Sequence, residues 1–215
     1  MDFNPLDLIL HLDVYLDMLV TNYGTWVYAI LFLVIFCETG LVVMPFLPGD
    51  SLLFIAGAVA AGGAMDPLLL AGLLMLAAIL GDSTNYLIGR TAGEKLFSNP
   101  NSKIFRRDYL QQTHDFYDKH GGKTVTLARF LPIIRTFAPF VAGVGKMNYL
   151  RFLGFSVLGT VLWVGGLVTL GYFFGNVPFI KQNLSLLVVG IILVSLLPMI
   201  ISLVRSKLSQ RASKA

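Results

Sequence analysis

Long apolar stretches alternate with polar segments along the chain, and four of them are long enough to cross a membrane. These four cover residues 26–44, 67–90, 152–174 and 184–203. An α-helix rises 1.5 Å per residue, so about 20 apolar residues cross the roughly 30 Å hydrocarbon core of a bilayer. The pattern therefore predicts four transmembrane helices, and the first opens with the interfacial residue types Trp26 and Tyr28.

Two more apolar stretches, residues 45–66 and 128–146, are interrupted by residues that break helices. The interrupting residues are Pro48 and Gly49 in the first stretch and Pro132 and Pro139 in the second. Inside a helix a proline removes one backbone hydrogen bond and clashes with the preceding turn. The unbroken part of the first stretch holds about 12 residues, which is too few to cross the bilayer. We therefore predict that both stretches are re-entrant helical hairpins.

Short sequence matches relate the two halves of the chain at a nearly constant offset of 84 or 86 residues. The matching pairs are Phe46–Pro48 with Phe130–Pro132, Ala56–Gly57 with Ala142–Gly143, and Tyr86–Gly89 with Tyr172–Gly175. A hairpin returns to the side it entered from and the following helix crosses, so the second hairpin must enter from the opposite side. The predicted fold is an all-α polytopic membrane protein. It is an inverted repeat of a re-entrant hairpin plus a transmembrane helix, with about four full spans and two hairpins, as in many transporters.

Three polar segments complete the chain. Residues 1–22 are patterned as an amphipathic surface helix, residues 91–127 as an amphipathic linker and residues 204–215 as a basic tail. The inverted repeat places all three on one side of the membrane. Of the 16 Lys and Arg residues, Arg129 and Arg135 lie inside the second hairpin and Lys181 lies on the opposite side. The other 13, with Lys146 at the end of the hairpin among them, lie on the side of the termini. Because cytoplasmic segments carry an excess of Lys and Arg, we expect both termini and the linker in the cytoplasm.

The composition agrees with a membrane protein and narrows the chemistry. Hydrophobic residues make up 56% of the chain and charged residues 13%, with a mean hydropathy of +0.76, which is typical of a polytopic membrane protein. Cys37 is the only cysteine and the three histidines are scattered, so we expect no metal and no cofactor. No HExxH, GxSxG or Walker A motif is present, and we do not expect an enzyme. The linker's basic residues alternate with acidic ones, which favours lipid headgroups over nucleic acid.

Four ionisable residues fall inside or beside the apolar stretches: Glu38, Asp50, Arg129 and Arg135. An arginine at bilayer depth costs about 2.5–3.5 kcal/mol, so these side chains must face protein, water or an anion rather than lipid. Arginine is always charged and presents two N–H groups together to phosphate or carboxylate oxygens. We predict that Arg129 and Arg135 bind an anionic substrate. A carboxyl group in a low-dielectric site can take up and release a proton, so Glu38 and Asp50 are predicted to couple proton movement.

A simpler alternative stays open, in which Glu38 and Asp50 only neutralise the arginines and lock the hairpins together. Buried ion pairs rarely add net stability over apolar packing, and charges inside a membrane are functional candidates by default, so we favour substrate or proton handling. Asp82 and Asn85 could equally bond a neighbouring helix. Helix ends left unpaired at a break also point partial charges into a cavity. The secondary candidates are Asp82 and Arg90, near a predicted helix end, and Pro48, Gly49, Pro132 and Pro139.

Three stretches of the sequence carry a resemblance to a known family. They read CETGLVVMPFLPGDSLLFIAG, GDSTNYLIGR and HGGKTVTLARFLPIIRTFAPFVAG, and EKLFSNPNSKIFRR in the linker extends the match. They resemble the signature stretches of the DedA family of bacterial inner-membrane proteins, from Trp26 to the end of the last helix. The resemblance implies a lipid-carrier translocase that returns undecaprenyl phosphate across the inner membrane, in some members with dependence on the proton gradient. It also implies that Glu38 and Asp50 match the family's essential acids, and that Arg129 and Arg135 match its essential arginines.

The resulting expectation is a flippase for a lipid phosphate in the bacterial inner membrane. Its partners would be the anionic lipid and the membrane, with no nucleic acid, and a homo-oligomer is a further option. One alternative is proton-coupled movement of a small solute or cation. Another is a non-transporting factor for membrane assembly or maintenance, and an intramembrane lipid phosphatase comes last because no nucleophile–base pair is visible.

Overall fold

The computed structural model describes residues 18, 22–41, 49–96, 121–175 and 177, and these residues contain helices and no strand. The helices are α1 (Trp26–Gly40), α2 (Gly49–Ala61), α3 (Pro67–Leu96), α4 (Lys123–Ala128), α5 (Pro132–Val144), α6 (Tyr149–Thr160), a π segment (Val161–Gly165) and α7 (Gly166–Phe174). Several predicted elements lie wholly or mostly outside the described residues. They are the N-terminal amphipathic helix, the start of the first hairpin with Pro48, most of the linker, the span 184–203 and the basic tail.

Two helices are long and apolar enough to cross a membrane. They are Pro67–Ala92 of α3 and the continuous rod Tyr149–Phe174 formed by α6, the π segment and α7, each of 26 residues. Fewer than half of the residues in the apolar part of each helix are buried within the chain. Leu68, Leu150 and Phe173 are among the large apolar side chains that point outward. An apolar exterior of this kind suits a lipid surrounding better than water.

Local capping explains where these long helices begin. Asp66 accepts hydrogen bonds from the backbone N–H groups of Leu68 and Leu69, both at 2.8 Å, and Pro67 occupies the first helical position. Asn148 accepts from the N–H of Arg151 at 3.2 Å, so α6 begins at Tyr149, three residues before the predicted start at 152. At its other end α3 continues to Leu96, six residues past the predicted boundary.

The stretch predicted as the second hairpin is broken, and the break is short. Residues 129–131 form a turn between α4 and α5, and Pro132 opens α5, where its fixed φ and missing N–H cost nothing. Pro139 lies inside α5 without ending it, so of the two prolines only Pro132 marks a helix boundary. The helical part also starts at Lys123, within the stretch predicted as linker.

Glycines let helices from the two halves of the chain approach closely. α2 packs on α7, and α5 packs on α3. A Cβ atom at Gly57 would overlap the carbonyl of Val168 and press on the N atom of Tyr172. A Cβ atom at Gly143 would overlap the carbonyl of Tyr86. The helices α2 and α5, which lie in the two stretches predicted as hairpins, therefore each pack on the long helix of the other half of the chain.

We expect Gly143→Ala to lower the free energy of unfolding by about 3 kcal/mol, because the added methyl group would meet backbone atoms that cannot rotate away. Thermal unfolding in detergent would measure this as a lower Tm. Gly154→Ala is the matched control, since its Cβ would meet nothing within 4 Å and alanine favours a helix. Equal Tm values for the two variants would contradict the close approach of α5 and α3.

Candidate functional site

Arg135 joins two acids from the first half of the chain. Its Nη1 group donates to Asp50 Oδ1 at 2.6 Å, and its Nη2 group donates to Glu38 Oε1. Glu38 lies in the last turn of α1 and is fully buried, while Asp50 is the second residue of α2. The arginine side chain is only 8% exposed, so the two contacts form away from bulk solvent. Three of the four residues predicted to form the site thus meet at one guanidinium.

Gly49 makes room for the Glu38 carboxylate. A Cβ atom built at Gly49 would overlap the carboxylate oxygens of Glu38. Any larger residue at the start of α2 would therefore push Glu38 away from Arg135. The contribution of Gly49 to the site is this lack of a side chain, next to Asp50 in the sequence.

Arg129 has a different partner. Its Nη2 group donates to Asp82 Oδ2, and the Ser156 hydroxyl donates to the same oxygen at 2.6 Å. Arg129 and Asp82 are both buried, with side chains 5% and 3% exposed. Asp82 was predicted near a helix end, but it lies in the middle of α3 because that helix continues to Leu96. This secondary candidate is the carboxylate that balances one of the two arginines.

Trp163 was missed by the sequence analysis. Its ring centroid lies 4.8 Å from the guanidinium carbon of Arg135 and 5.6 Å from that of Arg129. Its indole Nε1 donates to Asp50 Oδ1 at 2.8 Å. A tryptophan in the middle of an apolar span resembles any packing residue in sequence, so no local pattern marks it.

Asn85 ties the helices of the site together. Its side-chain amide donates to the carbonyl of Thr39 at 3.1 Å and to the carbonyl of Thr136 at 2.7 Å. Thr39 follows Glu38, and Thr136 follows Arg135, so this amide holds the two backbones that carry the ion pair. These two hydrogen bonds agree with the prediction that Asn85 could bond a neighbouring helix.

The residues Glu38, Asp50, Asp82, Arg129 and Arg135 form a charged cluster. The remaining predicted residues lie apart from it. Arg90 is exposed, and its Nη1 group donates to the hydroxyl of Tyr86 at 2.8 Å. That hydroxyl in turn donates to the carbonyl of Met147. Pro132 and Pro139 belong to α5 as described above, and Pro48 lies outside the described residues.

The cluster is buried but not fully satisfied. Within the described part of the chain, two guanidinium groups face the three carboxyl groups of Glu38, Asp50 and Asp82. The buried polar atoms that lack a hydrogen-bond partner among these residues are Glu38 Oε2, Ser51 Oγ, Asn85 Oδ1, Arg135 Nε and Thr160 Oγ1. Such atoms are rare in folded proteins and call for an explanation. No group of His, Cys, Asp and Glu suited to a metal ion occurs in the described stretches.

Comparison with known proteins agrees with the resemblance. Residues 47–173 match the VTT domain, a range that includes every charged residue of the cluster except Glu38. The chain is 60% identical over 212 residues to Protein DedA of Escherichia coli (strain K12), covering 97% of both chains. The chain belongs to the DedA family. Two further relatives are named as membrane proteins. An uncharacterized membrane protein of Mycobacterium leprae is 48% identical over 169 residues, which cover 79% of this chain and 76% of the relative.

The inner membrane protein YqjA of Escherichia coli (strain K12) is 38% identical over 157 residues, covering 73% of this chain and 71% of the relative. No solved structure matches the chain. The names of these relatives, the two long apolar helices and the strand-free described region together support one coarse conclusion. This DedA-family chain is a helical membrane protein.

Proposed function

We propose that the chain translocates an anionic lipid, undecaprenyl phosphate or a related lipid phosphate, across the inner membrane. The observation that carries the proposal is the pair Arg129 and Arg135, buried among apolar helices and facing one indole ring. Guanidinium groups bind phosphate oxygens two at a time, and in a water-poor site each such bond is stronger than in solution. The resemblance to the DedA family supplies the identity of the lipid, while the hydrocarbon tail would remain in the bilayer.

Charge balance supports a role for protons. With every group ionised, the cluster's three carboxylates outweigh its two guanidiniums, so a phosphate headgroup would enter a site that is already negative. Proton uptake by Glu38 or Asp50 would remove that excess and release N–H groups of Arg135 for the headgroup. Binding of proton and headgroup would then favour each other, because each removes a Coulombic cost of the other.

The inverted repeat belongs to this proposal. Positions 57 and 143 are 86 residues apart, as are positions 86 and 172, and Gly57 approaches Tyr172 as Gly143 approaches Tyr86. This exchange of partners supports two related halves whose hairpins enter from opposite sides. The two hairpins, the four full spans and the cytoplasmic termini remain parts of the proposal, and the headgroup would pass between the hairpin helices.

The direct test uses purified protein in vesicles that contain undecaprenyl phosphate. We expect protein-dependent transfer of the phosphate headgroup between leaflets, with a rate that changes when a pH gradient is imposed. The measurement is the fraction of headgroups accessible to a membrane-impermeant reagent over time. Folded protein that transfers no headgroup with either direction of gradient would refute the flippase.

Arg129→Lys is expected to slow headgroup transfer by on the order of tenfold or more, because one ammonium group cannot replace the two-pronged contact of guanidinium. The variant keeps a positive charge opposite Asp82, so folding should be largely retained. The comparison is with Arg151→Lys, the same exchange at an exposed position, which should transfer at the normal rate. Headgroup transfer at the normal rate by Arg129→Lys would show that Arg129 does not bind the headgroup.

A second candidate is proton-coupled movement of a small solute or cation. The negative excess of the cluster favours it, because three carboxyl groups face two guanidinium groups. The same vesicles distinguish the two functions: cation or solute flux without headgroup transfer would select the second candidate. A non-transporting assembly or maintenance factor would show neither activity.

A further inference from the structure

Trp163 is a buried residue that contacts both ion-pair systems of the charged cluster. Its side chain lies against Arg129, Arg135 and Asp50, and the residue is only 4% exposed. The two arginines otherwise bond to different carboxylates, Asp82 on α3 and the acids of α1 and α2. The indole therefore links the two ion-pair systems.

The π segment explains how the helix brings this indole to the cluster. Buried positions recur every four residues along the rod, at Phe152, Ser156, Thr160, Val164 and Val168. A step of four residues overshoots one α-helical turn by about 40°, so an unbroken α-helix would rotate this face away. The wider turn at Val161–Gly165 offsets the drift, and Trp163 sits on it. Such π turns occur frequently at functional sites.

The indole also suits two neighbouring cations. Two guanidinium groups near one another repel, and the repulsion grows in a low dielectric. The face of an indole ring carries partial negative charge and attracts guanidinium, most strongly when water is excluded. The indole N–H meanwhile donates to the same Asp50 oxygen that accepts from Arg135. One side chain thus attracts both cations and holds the carboxylate beside them.

We propose that Trp163 is a positioning residue of the anion site, which holds Arg129 and Arg135 against one surface so that both can bind a single phosphate group. The inference rests on the proposed function for its ligand, a lipid phosphate. An entering phosphate replaces carboxylate contacts of the arginines while the indole keeps the two guanidiniums together. The ring face is the essential part, and the N–H group is secondary.

Transport kinetics test the ring face. We expect Trp163→Leu to raise the KM for undecaprenyl phosphate by about tenfold or more, and Trp163→Phe, which keeps an aromatic face, to stay within about threefold of wild type. Trp26→Leu is the matched control, because Trp26 is the only other tryptophan and is 73% exposed. Equal KM values for the Leu and Phe variants would overturn the proposal. They would do so even if both variants fold poorly, provided that the folded protein binds undecaprenyl phosphate normally.

Fluorescence gives a readout that does not depend on translocation. Trp26→Phe leaves Trp163 as the only tryptophan, so its emission can be followed while undecaprenyl phosphate is added in detergent micelles. We expect a saturable change that the uncharged polyprenol does not cause and that Arg129→Lys weakens. No change on adding the phosphate to protein that transports normally would refute the placement of Trp163 in the site.

The two experiments separate this inference from the proposed function. A saturable fluorescence change in protein that transfers no headgroup in vesicles would reject the flippase and keep Trp163 in an anion site. Normal headgroup transfer, with unchanged Trp163 emission and an unchanged KM in Trp163→Leu, would keep the flippase and reject the role of Trp163 in the anion site.

Discussion

Replacing Arg135 with glutamine is expected to abolish headgroup transfer and to lower the free energy of unfolding by about 3–5 kcal/mol. The variant leaves Glu38 fully buried without the N–H group that now contacts its Oε1 atom, and it removes one donor from Asp50. An unpaired buried charge is costly, whereas the pair itself need not be stabilising. Thermal unfolding in detergent and the vesicle assay measure the two effects separately.

A double variant separates structure from function at this position. Glu38→Gln combined with Arg135→Gln removes both charges together, so most of the lost stability should return while headgroup transfer stays absent. Arg151→Gln, at an exposed position, should change neither quantity. If the double variant transfers lipid at the normal rate, Arg135 is only a counter-ion and the simpler alternative, in which acids and arginines lock the hairpins, is correct.

Asp82→Ala should have an effect of similar size, although the sequence made Asp82 only a secondary candidate. It would leave the Arg129 guanidinium buried with no carboxylate and would remove the acceptor of the Ser156 hydroxyl. We expect a loss of about 3–5 kcal/mol in unfolding free energy, and headgroup transfer below one tenth of wild type, because Arg129 is no longer held in place.

Asp82→Asn separates the charge of Asp82 from its shape. Asparagine has nearly the same shape and can still accept the Ser156 hydrogen bond, but it has no charge to balance Arg129. Its Tm should fall between those of wild type and Asp82→Ala. Thr84→Ala is the control on the same helix, since the Thr84 hydroxyl donates to the carbonyl of Leu80 within that helix. A Tm near wild type for Asp82→Ala would mean that the buried pair with Arg129 does not form.

The membrane class and the family follow from local features of the chain. Apolar runs such as 67–90 and 152–174 need no tertiary information, because any segment of that length and composition is suited to lipid. The comparisons confirm membership of the DedA family, which the motifs around Glu38, Asp82 and Arg129 indicated. Helix ends were less predictable: Asn148 starts α6 earlier than the apolar pattern suggested, and α3 passes Arg90 without a break.

The site was predictable as a set of residues and not as a set of contacts. A charge in an apolar stretch is conspicuous in sequence, so Glu38, Asp50, Arg129 and Arg135 could be selected at once. Nothing in the sequence separated Arg129 from the other three or joined it to Asp82. The ion pairs of Arg129 and Arg135 join residues that are 47 to 97 positions apart in the sequence, and the fold alone sets the distances between them.

The amino-acid sequence by itself determined that this chain enters a membrane, that it carries charges there, and to which family it belongs. These properties depend on single residues and their neighbours in the chain, because the cost of placing a side chain in hydrocarbon is local. Only the tertiary structure decided which carboxylate faces which guanidinium, and that Trp163 stands between the two ion-pair systems. Such choices depend on how α3, α5 and the 149–174 rod pack against one another, and electrostatic and aromatic contacts act only over a few ångströms.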